Sequence, residues 1–183
     1  MATKRKPATT LSETEFWKIL GKLNWKKSGD DDAVMAPAIK ALSQKSEREI
    51  EAFYDLFTEK LHALDTREHC RHSYAGERDP DDGDVYISAD DFLYLRCCAL
   101  LNGKKYYDTA LKNPAKMPTN LEFEALLYLA PKAWELKTGT DFEYFTRLSF
   151  ESFTNKAGWK KNSKTRAGSA TGKNVPSGNR RPS

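Results

Sequence analysis

The strongest constraint on the fold is a long amphipathic helix predicted near residue 50. Ser46-Glu47-Arg48-Glu49 has the spacing of a capping box, in which a serine oxygen accepts a backbone N–H and the glutamate three residues later reaches back. The apolar side chains that follow recur at the spacing of one helix face: Ile50, Phe53, Tyr54, Phe57, Leu61 and Leu64. This pattern predicts a helix that buries one face against other helices.

Similar periodic runs predict about six helices in all, and therefore an all-α, compact multi-helix domain. One follows a second capping box, Ser12-Glu13-Thr14-Glu15, and the others cover residues 33–42, 92–101, 104–111 and 121–138. Pro37 must sit in the first turns of its helix or kink it, whereas Pro131 is expected to bend the last helix, which Gly139 should end. The aromatic run from Phe142 to Trp159 has no helical period, so we expect irregular chain that seals the bundle.

The charge is divided unevenly along the chain. Residues 1–10 and 160–183 contain ten Lys and Arg and no acid, while the whole chain has a net charge of only +4, which leaves −6 for residues 11–159. Residues 160–183 are almost free of branched apolar side chains, so they cannot bury enough surface to offset the entropy of ordering. We therefore predict a disordered basic N-terminus (1–10), an acidic helical domain (11–159) and a disordered basic tail (160–183).

The cysteines and the hydropathy pattern favour a cytoplasmic protein. Cys70, Cys97 and Cys98 form no even framework, and two of them are adjacent, so a disulfide scaffold is not expected. Cys97 and Cys98 are better explained as small apolar side chains of a buried helix. The N-terminus has no apolar signal region, and no window is long and apolar enough to cross a membrane, so we expect neither export nor membrane insertion.

The residues most suggestive of chemistry lie between the third and fourth predicted helices. The candidate catalytic residues are Asp65, Arg67, Glu68 and His69, together with Arg96, because a charged cluster at a helix end beside an apolar core can hold shifted pKa values. The alternative is a polar helix end in which these side chains meet carbonyls and carboxylates.

Metal and cofactor sites are not expected. His69, Cys70 and His72 are candidate metal ligands by residue type, but they are too close in sequence to share one helix face. The acidic loop Asp79–Asp84 lacks the glycine and glutamate positions of a calcium loop. No phosphate-cradling motif occurs, so the sequence predicts no cofactor.

Several runs resemble a bacterial family known only as domain of unknown function number forty-two forty. The likeness rests on Thr14-Glu15-Phe16-Trp17, on Phe92 to Cys98 followed by Asn102-Gly103, and on Asp141-Phe142-Glu143-Tyr144. The resemblance spans about residues 12–155 and implies an α-helical, bacterial cytoplasmic protein. The resemblance implies no known reaction. Cys97-Cys98 stands where relatives often have a tryptophan.

Three functions are consistent with these features. The leading hypothesis is a non-enzymatic binding module of the immunity or regulatory type, whose acidic surface covers a basic protein partner. The second is an enzyme or small-ligand binder that uses the Asp65–His69 cluster with Arg96. The third is nucleic-acid binding, expected only through the basic tail, which has no interleaved aromatic residues.

Overall fold

The computed structural model describes residues 11–81 and 83–160. This part of the chain is all-α, as predicted, and contains no strand; one isolated antiparallel bridge joins Arg78 and Val85. Its seven α-helices are α1 (Glu13–Leu20), α2 (Asp31–Ser43), α3 (Glu47–Leu64), α4 (Arg67–Ser73), α5 (Ala89–Leu101), α6 (Lys104–Lys112) and α7 (Leu129–Thr138). Short 3₁₀ helices cover Trp25–Lys27, Pro114–Lys116 and Glu124–Tyr128.

α3 is built as the sequence predicts. The backbone N–H of Glu49 donates to Ser46 Oγ at 3.3 Å, and the N–H of Ser46 donates to Glu49 Oε2 at 2.9 Å, which confirms the capping box. The predicted apolar face is buried against α5 and α7, which both pack on α3. α5 is buried over most of its circumference, because Phe92, Cys97 and Cys98, which project in well-separated directions, are all buried.

Two element boundaries differ from the prediction near the middle of the chain. The polar stretch after α3 is a separate short helix, α4, because Asp65 breaks α3 and Thr66 caps a new helix by accepting from the N–H of His69. α2 begins earlier than expected, at Asp31, so Pro37 lies inside the helix rather than in its first turn.

The prediction of an α-helix from Leu121, bent at Pro131, was wrong. α7 begins at Leu129, and the residues before it form irregular chain followed by the 3₁₀ helix Glu124–Tyr128. Proline lacks an N–H and is readily accommodated in the first helical turn, where that N–H would have no partner, although Pro37 inside α2 shows that the preference is not absolute. Pro131 is the third residue of α7 and therefore marks its start. Gly139 ends α7 in the left-handed conformation (φ +72°), as predicted.

Residues 140–160 form the irregular aromatic segment that the sequence predicts. This segment passes over α3 and α5, with Phe150 against Phe57 and Trp159 against Phe92. The predicted N-terminal segment 1–10 and all of the predicted tail except Lys160 lie outside the described residues. Among the helices of the described part, none combines the length and the apolar character needed to cross a membrane.

Candidate functional site

Asp65, the first predicted site residue, holds the C-terminal segment in place. Its side chain is fully buried at the C-cap of α3. Oδ1 accepts from the N–H of Phe153 at 2.9 Å and from Trp159 Nε1 at 2.8 Å. Oδ2 accepts from the N–H groups of Thr154 and Asn155, both at 2.8 Å. Four N–H donors therefore bond to this carboxylate, which holds residues 153–159 against the end of α3.

Arg96 forms a second buried link to the same segment. Its guanidinium donates from Nη1 to the carbonyl of Leu61 at 2.9 Å and from Nη2 to Ser152 Oγ at 2.7 Å. It also lies 4.8 Å from the ring centroid of Phe92. Burial lowers the pKa of Arg96, while the negative charge of Asp65 opposes this shift. The two side chains form no direct ion pair among the described residues.

His69 is buried with both ring nitrogens engaged. Nε2 lies 3.2 Å from the carbonyl oxygen of Ala110, which can only accept, so Nε2 carries the hydrogen. Nδ1 lies 2.7 Å from Thr66 Oγ1 and accepts from that hydroxyl. Burial lowers the pKa of His69, and the neutral ring therefore fastens α4 to α6.

The remaining predicted residues lie on the same short helix, α4, and differ in burial and contacts. Arg67 donates from Nε to Asp84 Oδ1 at 2.7 Å, which ties α4 to the acidic loop. Glu68 is exposed and lies 3.4 Å from Arg71 Nη1. His72 is exposed, whereas Cys70 is buried and its thiol pKa is raised to about 12 by burial. Across residues 11–81 and 83–160, no three His, Cys, Asp or Glu side chains gather in a way that could hold a metal ion.

The candidate catalytic residues lie outside four cavities of the described part of the chain. None of Asp65, Arg67, Glu68, His69 or Arg96 lines any of these cavities. Hydrogen bonds account for the burial of Asp65 and His69 and for most of that of Arg96, whose Nε alone has no partner among the described residues. Catalysis by this cluster stays a prediction, because none of these four cavities would place a substrate beside it.

Another concave feature of the described residues lies beside the segment 120–123. Two adjacent cavities of about 310 and 530 Å³ share Leu121 and Glu122 as lining residues. We call their combined surface the acidic groove. Its other lining residues are Tyr74, Tyr86, Ile87, Asp91, Leu95 and Asn120 in the smaller cavity, and Trp25, Ser28, Gly29, Asp31, Val34, Cys98, Leu101, Asn102 and Phe123 in the larger.

The backbone turns at Asn120, and this turn shapes the groove. Asn120 adopts a left-handed conformation (φ +53°), after which Leu121 is 54% exposed and Phe123 is turned into the core. Trp25 packs edge-on against Phe123 with ring centroids 5.5 Å apart, yet 47% of its surface is exposed. A large apolar side chain left this accessible beside a cavity is a common property of binding surfaces.

The groove is negatively charged. Asp31, Asp91 and Glu122 are all exposed, and none of them forms an ion pair within the part of the chain that the structure describes. Of the residues that the structure describes, no Lys, Arg or His lines either cavity. Burial and the nearby charge of Glu122 raise the pKa of Cys98 to about 11, so the thiol at the groove floor stays protonated. A surface with these properties attracts cations and repels anions.

The comparison with known families gives one result. The model of a family described as a protein of unknown function, DUF4240, matches residues 11–136, which is more than half of the chain. The chain belongs to the DUF4240 family. No curated protein and no solved structure matches it.

The DUF4240 match includes every residue that lines the acidic groove, and it includes Asp65 and Arg96. It ends within α7, so the Asp141–Tyr144 run and the segment that Asp65 clamps lie beyond it. The sequence did not single out the groove residues, because Trp25, Asp91 and Leu121 are far apart in the chain. The one available signal was Trp25, a large aromatic residue in a polar break between two predicted helices.

Proposed function

We propose that this DUF4240 protein is a non-enzymatic binding module that holds a basic segment of a partner protein in the acidic groove. The supporting observation is that three carboxylates and exposed apolar side chains line two adjacent cavities, and that within residues 11–81 and 83–160 these acids have no ion-pair partner and no basic residue lines either cavity. Carboxylates of this kind steer and orient a cationic partner, whereas Trp25 and Leu121 supply the apolar area that gives affinity.

The net charge of the domain agrees with this function. Residues 11–159 carry −6 overall, so the long-range field of the domain also attracts a basic partner. Lys26 and Lys27 follow Trp25 but line neither cavity. The partner is therefore expected to combine Lys or Arg with aliphatic or aromatic residues, in the manner of a short amphipathic segment. An immunity or regulatory role would follow from covering such a segment.

Binding of a defined peptide tests the proposal. A fluorescein-labelled peptide of about ten residues, alternating Lys and Leu, is titrated with the full chain at about 0.15 M salt, and its counterpart alternating Glu and Leu is the charge control. We expect saturable binding of the basic peptide alone. Glu122→Lys should weaken it about tenfold, because the reversed charge faces the peptide across the groove.

The matched control is Glu59→Lys, which makes the same charge change on an exposed position of α3 outside the groove. Trp25→Ala should also weaken binding, but without changing its dependence on salt. Equal loss of affinity in the Glu122 and Glu59 variants would assign binding to net charge rather than to the groove. Absence of saturable binding to the basic peptide would refute the proposed function.

A further inference from the structure

A second cavity, separate from the acidic groove, lies where α7 meets the irregular segment after Gly139. It has a volume of about 450 Å³ and shares no lining residue with the groove. Three aromatic rings and three carboxylates line it, from Trp134, Phe142, Tyr144, Glu51, Asp141 and Glu143, and no Lys, Arg or His of the described part of the chain does. We call this cavity the aromatic cleft.

The rings of the aromatic cleft are fixed by contacts with each other and by hydrogen bonds at their edges. The ring centroids of Trp134 and Phe142 are 5.3 Å apart, and those of Phe142 and Tyr144 are 6.0 Å apart. Trp134 Nε1 donates to Thr140 Oγ1 at 3.2 Å, and the Tyr144 hydroxyl donates to Asp55 Oδ2 at 2.8 Å. A ligand therefore meets rings that are already ordered, which removes an entropic cost of binding.

The cleft is also strongly negative. Glu51, Asp55, Asp141 and Glu143 form no ion pair among residues 11–81 and 83–160. Burial, the bond to Asp55 and the charge of Glu51 raise the pKa of Tyr144 to about 12, so the phenol stays neutral and adds no further anion.

We propose that the aromatic cleft binds a small organic cation of the alkylated ammonium class. An alkylated ammonium ion loses little hydration on entering a site, gains cation–π attraction from aromatic rings, and is neutralised by the surrounding carboxylates. A hydrated divalent metal ion would gain from the carboxylates but not from the rings, because it takes oxygen ligands. An anion is repelled. This inference stands apart from the groove and does not depend on it.

Calorimetric titration of the full chain with choline tests the proposal, with 3,3-dimethylbutan-1-ol as the neutral molecule of the same shape. We expect choline to bind with one-to-one stoichiometry and at least about tenfold more tightly than the alcohol. Glu143→Gln and Phe142→Leu should each weaken choline binding about threefold or more. The matched control is Glu135→Gln, an exposed change on α7 outside the cleft, which should leave it unchanged.

A second titration identifies the source of the cation. A short peptide that carries trimethyllysine is compared with the same peptide carrying unmodified lysine. Tighter binding of the trimethyllysine peptide than of choline would assign the cleft to a modified side chain, and the reverse order would assign it to a free small molecule; both results support the proposal. Equal binding of choline and the alcohol would overturn it. So would the absence of choline binding, or displacement of choline by calcium at equal concentration.

Discussion

Replacement of the buried Asp65 carboxylate by an amide is expected to release the C-terminal segment. Each carboxylate oxygen accepts two N–H donors, from Phe153 and Trp159 on one side and from Thr154 and Asn155 on the other. In Asp65→Asn, either orientation of the amide turns its NH₂ group toward one of these pairs. Two donors are then left without an acceptor, at about 1–3 kcal/mol each.

The same change also removes the negative charge that favours the buried Arg96 cation. We therefore expect Asp65→Asn to lower the free energy of unfolding by about 3 to 5 kcal/mol, which is a large part of the 5–15 kcal/mol typical of a domain. Urea titration followed by tryptophan fluorescence measures this loss, and hydrogen exchange should report faster exchange in residues 149–159. Glu143→Gln in the same segment is the exposed control. A loss below about 1 kcal/mol with unchanged exchange would refute the reasoning.

Three further results are expected. Gly158→Ala should destabilise the fold by about 1–3 kcal/mol in urea titration, because the added Cβ would lie 2.7 Å from Thr66 Cγ2. The pKa of Glu13 is lowered from 4.5 to about 2, mainly by a hydrogen bond from Lys60. The ionised Glu13 carboxylate therefore contributes its full stabilisation above pH 4.5, and this contribution is lost as the pH falls toward 2. In Glu13→Gln, the free energy of unfolding should fall less steeply over this pH range. Cys98, with its thiol pKa raised to about 11, should react with a thiol reagent at pH 8 much more slowly in the native protein than in urea, and equal rates would contradict its burial.

The features that the sequence predicts well are those determined by neighbours in the chain. The capping box at Ser46 and the stripe from Ile50 to Leu64 involve residues three and four positions apart, and their helix begins and ends where the pattern does. Gly139 ends α7 for the same local reason. The start of α7 was mispredicted because Pro131 is compatible with either a bent helix or the first turn of one, and the apolar period before it favoured the first alternative.

The candidate sites could be predicted only in part, because they depend on contacts across the chain. Asp65 was singled out by its residue type, but its role is set by donors that lie 88 to 94 residues later. The acidic groove combines Trp25, Asp91 and Glu122, which come from three separate parts of the sequence. Residue composition indicated an acidic domain, but only the fold distinguishes the acids that meet in a concavity from those scattered over the surface.

The two classes of charged residue in this domain differ in what surrounds them. The buried carboxylate of Asp65 accepts four hydrogen bonds, and the buried guanidinium of Arg96 donates two, with Nε left without a partner among the described residues; these bonds explain the placement of both charges by the stability of the fold. Asp91 lies in the first turn of α5, where the positive end of the helix dipole stabilises an acid, so its position has a structural explanation. Glu122 lies in irregular chain beside the same cavity, is exposed, and forms no ion pair within the described part of the chain, so no such local effect explains it. The basic partner proposed above would neutralise both carboxylates, and Glu122 is therefore the residue whose charge tests that proposal most directly.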